Sequence, residues 1–476
     1  MSSPPSPPYT GRIVVRLAPP IVAAIQQWVR ANRASLPTLA DVARELHADH
    51  LQGMVSRYRS LPSQRAVTNV SAEIMLDLED TARESPYPPI HSMVGYYIID
   101  TREQLEGEQI DRLLTDLRNN PDVGLAYLEM GVQDAAVTPE DEPVYPANYK
   151  GHFDGRHRGI NARNQKVWGV CDGAGIGLVD LEAGWNLDHQ DLPRPLPPVF
   201  NQNRAPGNHG AAVLGVIVGR DNAKGIVGLA PGARVLKVVS HIKSTGSQYV
   251  PMDEWDVAGA IYDAIGIMNP GDVLLIEVQC VGPDLTGYPV ETQEAWFTAI
   301  RNASGNGMIV VEAAGNGDSQ GVGRNLDDWH DPVTGRKLSR APANDSGALL
   351  VSACCSAVQP PQAHVRMSWA NYGSRVDCYA WGENVYTAGG DGSLTQPEPD
   401  RDLWYTDSFS GTSSASAIIA GAAILLQCLA VRKAGQRLTP TQIRTLLSGT
   451  GTSIVNTTGQ KIGIMPDLVK ILPKLP

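Results

Sequence analysis

The sequence has no excess of positive charge: 39 Lys and Arg stand against 50 Asp and Glu, for a formal net charge of -11. Nucleic acid and anionic membrane surfaces call for a basic patch, so no partner of either kind is expected. No apolar run reaches the roughly 20 residues that a membrane-spanning helix needs. The best candidate, Ile418 to Leu429, is too short and reads as a buried helix. The opening stretch, MSSPPSPPYTGRIVVRLAPP, lacks a charged region followed by an apolar one. The expectation is therefore a cytoplasmic protein, with export by a signal-independent route left open. Cysteines at 171, 280, 354, 355, 378 and 428 show neither Cys-x-x-Cys spacing nor the framework of a small disulfide-stapled domain. Cys354 and Cys355 lie in the apolar run LLVSACCSA and read as buried thiols.

What is present describes a soluble globular chain, with 42% hydrophobic and 19% charged residues. A length of 476 residues implies two or more domains. Arg12 to Leu17 alternates like a strand, and Pro20 to Asn32 and Leu39 to Tyr58 carry helical spacing. Met93 to Asp100 is again strand-like; Glu108 to Arg118 reads as a helix stopped by Asn119-Asn120-Pro121, and Val123 to Val132 as a closing strand. Residues 1–134 thus suit a small α+β domain. Residues 135–160 are rich in Pro, Gly and charge without any period, which marks a linker where nicking concentrates.

Residues 161–476 change texture. Apolar runs at 175–180, 234–240, 272–278, 308–315 and 348–354 alternate with helical stretches at 257–268 and 291–305. That pattern predicts an α/β domain with a mostly parallel sheet covered by helices on both faces. Sites in such folds lie at the carboxyl ends of the strands. Glycines 173, 175 and 177 imitate a dinucleotide fingerprint, but they lead into a strand and do not link it to a helix, so that reading fails.

Four segments carry possible chemistry. The run GIGLVD ends in Asp180, where a carboxylate can fix the tautomer of an imidazole. His209 opens an apolar helical stretch, NHGAAVLGVIVG. Asn316 follows the strand in VEAAGNG, and its amide is a suitable donor to a developing oxyanion. Ser413 sits at the start of a long small-residue helix in FSGTSSASAIIAGAA, where the backbone N–H and the helix dipole stabilise negative charge. Taken singly these are a strand-end acid, a helix cap, a turn residue and a polar cap; it is their order and context that carry weight.

In that order the segments resemble the subtilisin-like serine peptidases, or subtilases. The carrying matches are SGTSSAS-x-x-x-AG at 410–421, HGxxVxG at 209–215, GLAPGARV at 228–235, AAGN at 313–316, and His189-Gln190-Asp191-Leu192 after the acid. The resemblance covers roughly residues 165 to 450. It implies an Asp180–His209–Ser413 triad, with Asn316 in the oxyanion hole and an acyl-enzyme intermediate on the way to peptide hydrolysis. It also implies an extended substrate against Gln279, Cys280, Val281 and Gly282, with Gly246 and Gly315 nearby. Asp191 falls at a family calcium-ligand position, so structural calcium is implied there, while the chemistry needs no cofactor. Residues 114–129 resemble the ending of the family's propeptide, which implies that the N-terminal domain inhibits the cleft of its own chain until it is cut. The chain departs from the pattern after Asp180, where Leu181-Glu182-Ala183-Gly184 makes a longer loop than usual, and at 279–282. A catalytically silent binding protein on the same fold is the alternative.

Overall fold

A computed structural model describes residues 9–476, apart from 103, 106, 135–158, 195, 198, 204–207, 223–224, 245–252, 283–284, 357–363, 390–399 and 456–458. Residues 135–158 of the expected linker and Gly246 therefore lie outside the described residues, whereas Ile160, the linker's last expected residue, is fully buried in the core.

The N-terminal part is built on β1 (Tyr9–Leu17), β2 (Ser63–Arg65), β3 (Tyr96–Asp100) and β4 (Val123–Asp134), all antiparallel. In β1, Ile13, Val14 and Val15 are all buried, so this strand is covered on both faces. Its helices are α1 (Pro19–Asn32), α2 (Leu39–Glu45), α3 (Asp49–Arg57), α4 (Ala72–Ala82) and α5 (Glu108–Arg118). The single helix expected over Leu39 to Tyr58 is two. A Thr38–Asp41 capping box starts α2, and the chain then breaks at His47, whose φ of 52° no helix can continue. Helix α4, which starts at a Ser71 cap, was not expected.

The remainder follows the parallel pattern. Strands β5 (Gly177–Glu182), β6 (Val199–Phe200) and β7 (Arg234–Ser240) flank α6 (Asn208–Val218). A short hairpin, β8 (Ile242–Ser244) and β9 (Asp253–Trp255), leads to α7 (Val257–Ile265). Then come β10 (Val273–Ile276), β11 (Val278–Val281), β12 (Gly287–Pro289), α8 (Glu294–Gly305), β13 (Ile309–Ala313), β14 (Leu349–Cys354) and β15 (Cys378–Trp381). The hairpin β16 (Val385–Ala388) and β17 (Tyr405–Phe409) precedes the long α9 (Gly411–Ala434), and α10 (Pro440–Gly449), β18 (Gly451–Ser453), β19 (Ile464–Pro466) and α11 (Leu468–Ile471) close the chain.

The main sheet runs β18-β19-β15-β14-β13-β10-β5-β7-β6, parallel except at β18–β19. Leu178 and Leu275 share a core with α6 and α9, whereas Val179, Leu181, Leu274 and Ile276 share one with α7, α8 and the N-terminal strands. The two faces of β5 and β10 thus have different neighbours. Helix α9 is long and apolar enough to cross a bilayer, but its most apolar window is 94% buried in the fold. A disulfide between Cys171 and Cys428, Cα atoms 6.2 Å apart, ties the segment before β5 to α9. Its partners lie 257 residues apart, a pairing that spacing could not reveal. Cys354 and Cys355 are free, the first buried and the second half-buried.

The two parts meet in a shared sheet. β4 pairs antiparallel with β11, Gln133 opposite Gln279 and Val132 opposite Cys280, and the order is β12-β11-β4-β1-β3-β2. Side chains add to the contact: Asn306 Nδ2 donates to Leu78 O at 3.1 Å, Arg301 Nε to Pro88 O at 2.7 Å, and Asn69 Nδ2 to Gly259 O at 2.9 Å.

Candidate active site

β5 runs two residues beyond the expected end, to Glu182. The difference decides the site. His209, at the start of α6, points Nδ1 at Glu182, 2.9 Å from Oε1 and 2.8 Å from Oε2. An ionised carboxylate only accepts, so Nδ1 carries the proton and Nε2 is left as a base. Asp180, expected to be the partner of His209, instead accepts a hydrogen bond from Trp185 Nε1 at 2.8 Å through Oδ2. Trp185 is buried and packs so closely on the start of α6 that a Cβ at Gly210 would lie 2.3 Å from its ring. The indole engages Asp180, and the longer Glu182 side chain, one strand period further on, meets the imidazole. What looked like a longer loop after Asp180 is the strand carrying a different acid.

The nucleophile candidate, Ser413, lies in the first turn of α9 and is fully buried. Gly411, with a φ of 95°, makes the entry that a side chain would strain. Ser414 Oγ donates to Trp381 O at 2.9 Å and so pins this turn to the end of β15. Phe409, at the end of β17, stacks edge-on with His209 at 5.5 Å between ring centroids, which keeps α9's entry beside the imidazole.

Asn316, just past β13, is oriented from both sides. Its N–H donates to Gln279 Oε1 at 2.8 Å, and its Oδ1 accepts from Thr412 N and Thr412 Oγ1, both at 2.9 Å. A backbone N–H can only donate, which assigns the amide and leaves Nδ2 as the free end. Gly315, with a φ of 90°, lets the chain pass so close to Gly287 O that an added Cβ would lie 2.4 Å from it. Asn371 buttresses that passage by donating to Gly287 O and Ala314 O at 2.7 and 2.8 Å.

Three atoms in this region, His209 Nε2, Ser413 Oγ and Asn316 Nδ2, are buried without a hydrogen-bond partner among the described residues. Most buried polar atoms are satisfied, so three orphans drawn from one base, one hydroxyl and one amide mark a place kept for another molecule.

Of the expected substrate residues, Gln279, Cys280 and Val281 form β11, whose edge is covered by β4, while Gly282 N–H closes a turn onto Thr286 O at 2.8 Å. Cys280 Sγ faces the interior, 3.9 Å from Val290 O, so it offers backbone and not its side chain. Gln279 supports Asn316, a role its sequence context did not suggest. Asp191 is fully buried. Its Oδ2 accepts from Ile226 N at 2.8 Å and Tyr405 OH at 3.0 Å, while its Oδ1 is buried without a hydrogen-bond partner among the described residues, which leaves one oxygen for a cation. Among the described residues no group of three or more His, Cys, Asp or Glu is placed to hold a metal.

Residues 196–462, more than half of the chain, match the subtilase family of peptidases. The chain belongs to the subtilase family. An extracellular protease of Xanthomonas campestris pv. campestris is 26% identical over 303 residues, covering 63% of this chain and 42% of the relative. A calcium-dependent protease of Trichormus variabilis is 26% identical over 310 residues, covering 57% of this chain and 41% of the relative. The chain thus spans less than half the length of these two relatives. In fold it is similar to fervidolysin of Fervidobacterium pennivorans, a keratinolytic enzyme related to subtilisin, with a TM-score of 0.55 at 16% identity over 98% of this chain and 62% of the other.

Proposed function

We propose that this subtilase is a serine endopeptidase whose triad is Glu182, His209 and Ser413. Ser413 Oγ attacks the peptide carbonyl as His209 Nε2 takes its proton, and the acyl-enzyme forms as that proton passes to the leaving amine. Glu182 holds the Nδ1 tautomer and stabilises the imidazolium. Asn316 Nδ2 and the Ser413 N–H receive the oxyanion. The observation that carries this reading is the trio of partnerless atoms, each on a side chain whose other end or setting is fixed: His209 by Glu182, Asn316 by Thr412 and Gln279, Ser413 by its helix turn. The apo geometry is no objection, because catalytic hydrogen bonds tighten when substrate binds.

Substrate is an extended protein or peptide segment that pairs with β11, in the place β4 holds. On this reading residues 1–134 are a folding and inhibitory domain, and the chain is a precursor processed at 135–160. The chemistry uses no cofactor. A structural calcium, which the name of the Trichormus relative invites, would take Asp191 Oδ1 as one of its ligands.

The test is reaction with a serine-directed fluorophosphonate. The wild-type chain is expected to label at Ser413 and to be cut within 135–160, whereas Ser413→Ala stays full length and unlabelled. A wild-type chain that neither labels nor differs from Ser413→Ala would leave the silent binding protein as the better reading.

A further inference from the structure

Parallel pairing sets Leu275 beside Asp180 and Ile276 beside Leu181, and the Glu277 N–H continues the ladder to Leu181 O at 3.1 Å. Glu277 therefore stands next to Glu182 on the neighbouring strand. The two-residue period turns it to the same face as Asp180 and Glu182, the face that packs on α6 and α9. It is fully buried. Its Oε1 lies 2.8 Å from Ser416 Oγ, and its Oε2 has no hydrogen-bond partner among the described residues.

Ser416 makes the proton inventory informative. Its Oγ also reaches Thr412 O at 2.7 Å and Ser413 O at 3.2 Å, the back-bonding usual for a helical serine. A hydroxyl has one proton, and carbonyls only accept. When that proton goes to Thr412 O, the 2.8 Å contact with Glu277 needs a proton from the carboxyl. The groups facing Glu277 favour this. Burial first, then the charge of Glu182, hold its carboxyl well above the usual range; His209 acts the other way, Asp180 adds to the rise, and Ser416 opposes it.

We propose that Glu277 is a positioning residue, carried as a neutral carboxylic acid whose proton goes to Ser416 Oγ and braces the first turn of α9 behind Ser413. The inference rests on the peptidase reading of Ser413, His209 and Glu182. A neutral Glu277 fills the space beside Glu182 without adding a second negative charge next to His209, so the basicity of the imidazole is left to the triad acid.

The test is infrared difference spectroscopy at pH 8 on the full chain, Ser413→Ala against Ser413→Ala/Glu277→Gln. A protonated-carboxyl C=O band is expected in the first and not in the second; identical spectra in this region would overturn the proposal. In the active enzyme, Glu277→Ala is expected to lower kcat about tenfold or more with KM within about twofold, and Glu277→Gln to recover most of that loss. An acid limb of the pH profile that falls by about one unit in Glu277→Gln would show that a negative charge had been removed beside His209, and would overturn the neutral state. An unchanged kcat in Glu277→Ala would overturn the positioning role. If Glu277→Ala does not fold, Ser416→Ala removes the other end of the bond and is read the same way. Failure of the wild-type chain to take a fluorophosphonate would sink the peptidase reading alone, because the infrared band answers the proton question without activity.

Discussion

At the carboxyl ends of β5 and β10, Asp180, Glu182 and Glu277 are fully buried; one meets an indole N–H, one an imidazole and one a hydroxyl. At the amino ends of β14 and β15, Glu291, Asp345 and Asp377 are also buried, but they meet guanidiniums. Arg375 reaches Glu291 and Asp377 at 2.8 Å each, Arg444 reaches Asp377 and Asp345 at 2.7 Å, and Arg340 reaches Asp377 at 2.9 Å. Burial alone would raise Asp377, yet Arg444, Arg375 and Arg340 together hold its carboxyl below the usual range. Three acids against three permanent cations make a network with little left to give. At the other end of the sheet the imidazole and the hydroxyl can take or redirect a proton, which is what the proposed reaction requires. The same buried residue type therefore does structural work at one end of the strands and, on the proposed reading, supports a reaction at the other.

The largest effect that would break this contrast is at Glu182. Glu182→Gln is expected to lower kcat by about 10⁴-fold, the cost of losing the acid that fixes the tautomer in the comparable triad case. Asp180→Asn should cost less than about tenfold, because the indole N–H can still bond to the amide oxygen. Steady-state kinetics on a peptide substrate reads both, and equal losses would return Asp180 to the triad. At the other end, Arg375→Ala leaves Glu291 and Asp377 short of a cation and should cost about 3–5 kcal/mol of stability in urea unfolding of the Ser413→Ala chain. A loss below about 1 kcal/mol would mean that the network is not structural. Next in size, Asn316→Ala should lower kcat by about 10²- to 10³-fold with little change in KM, as expected of a donor that acts on the oxyanion.

A smaller effect probes a buried acid between these extremes. Glu79 on α4 accepts the Met93 N–H at 2.8 Å, and burial pushes its carboxyl up to about 7. A raised carboxyl is stabilising below its unfolded value and loses that advantage as pH rises through the window from 4.5 to about 7. The fold is thus expected to lose about 3 kcal/mol across that window through this residue. Glu79→Gln should remove that part of the pH dependence, measured as the difference between the two chains' urea midpoints at pH 5 and pH 8.

Much of the site was legible because it is local. Ser413, His209 and Asn316 each sit where a strand ends or a helix begins, and short runs of small residues announce such places. The carboxylate that meets His209 was placed one strand period too early because a strand's end is poorly marked in sequence: Asp180 and Glu182 share a face, and both suit a strand terminus. The Trp185 indole that engages Asp180 is a tertiary fact. Glu277 did leave a signal, a glutamate inside the apolar run DVLLIEV, where an ionisable residue has a cost unless it is used. In the fold, the parallel sheet followed from its apolar runs, whereas the break at His47 and the Cys171–Cys428 pairing depend on contacts that no local pattern encodes.

The pairing of β4 with β11 has a consequence for competition. Four backbone pairs, from Val278–Asp134 to Val281–Gly131, are made by a strand of the same chain. A tethered strand acts at an effective concentration in the millimolar range or above, whatever the amount of protein in solution. A free peptide that paired with β11 as proposed would compete against a local concentration that dilution cannot lower. On the proposed reading, only a cut within 135–160 turns the contest into one that substrate abundance can win.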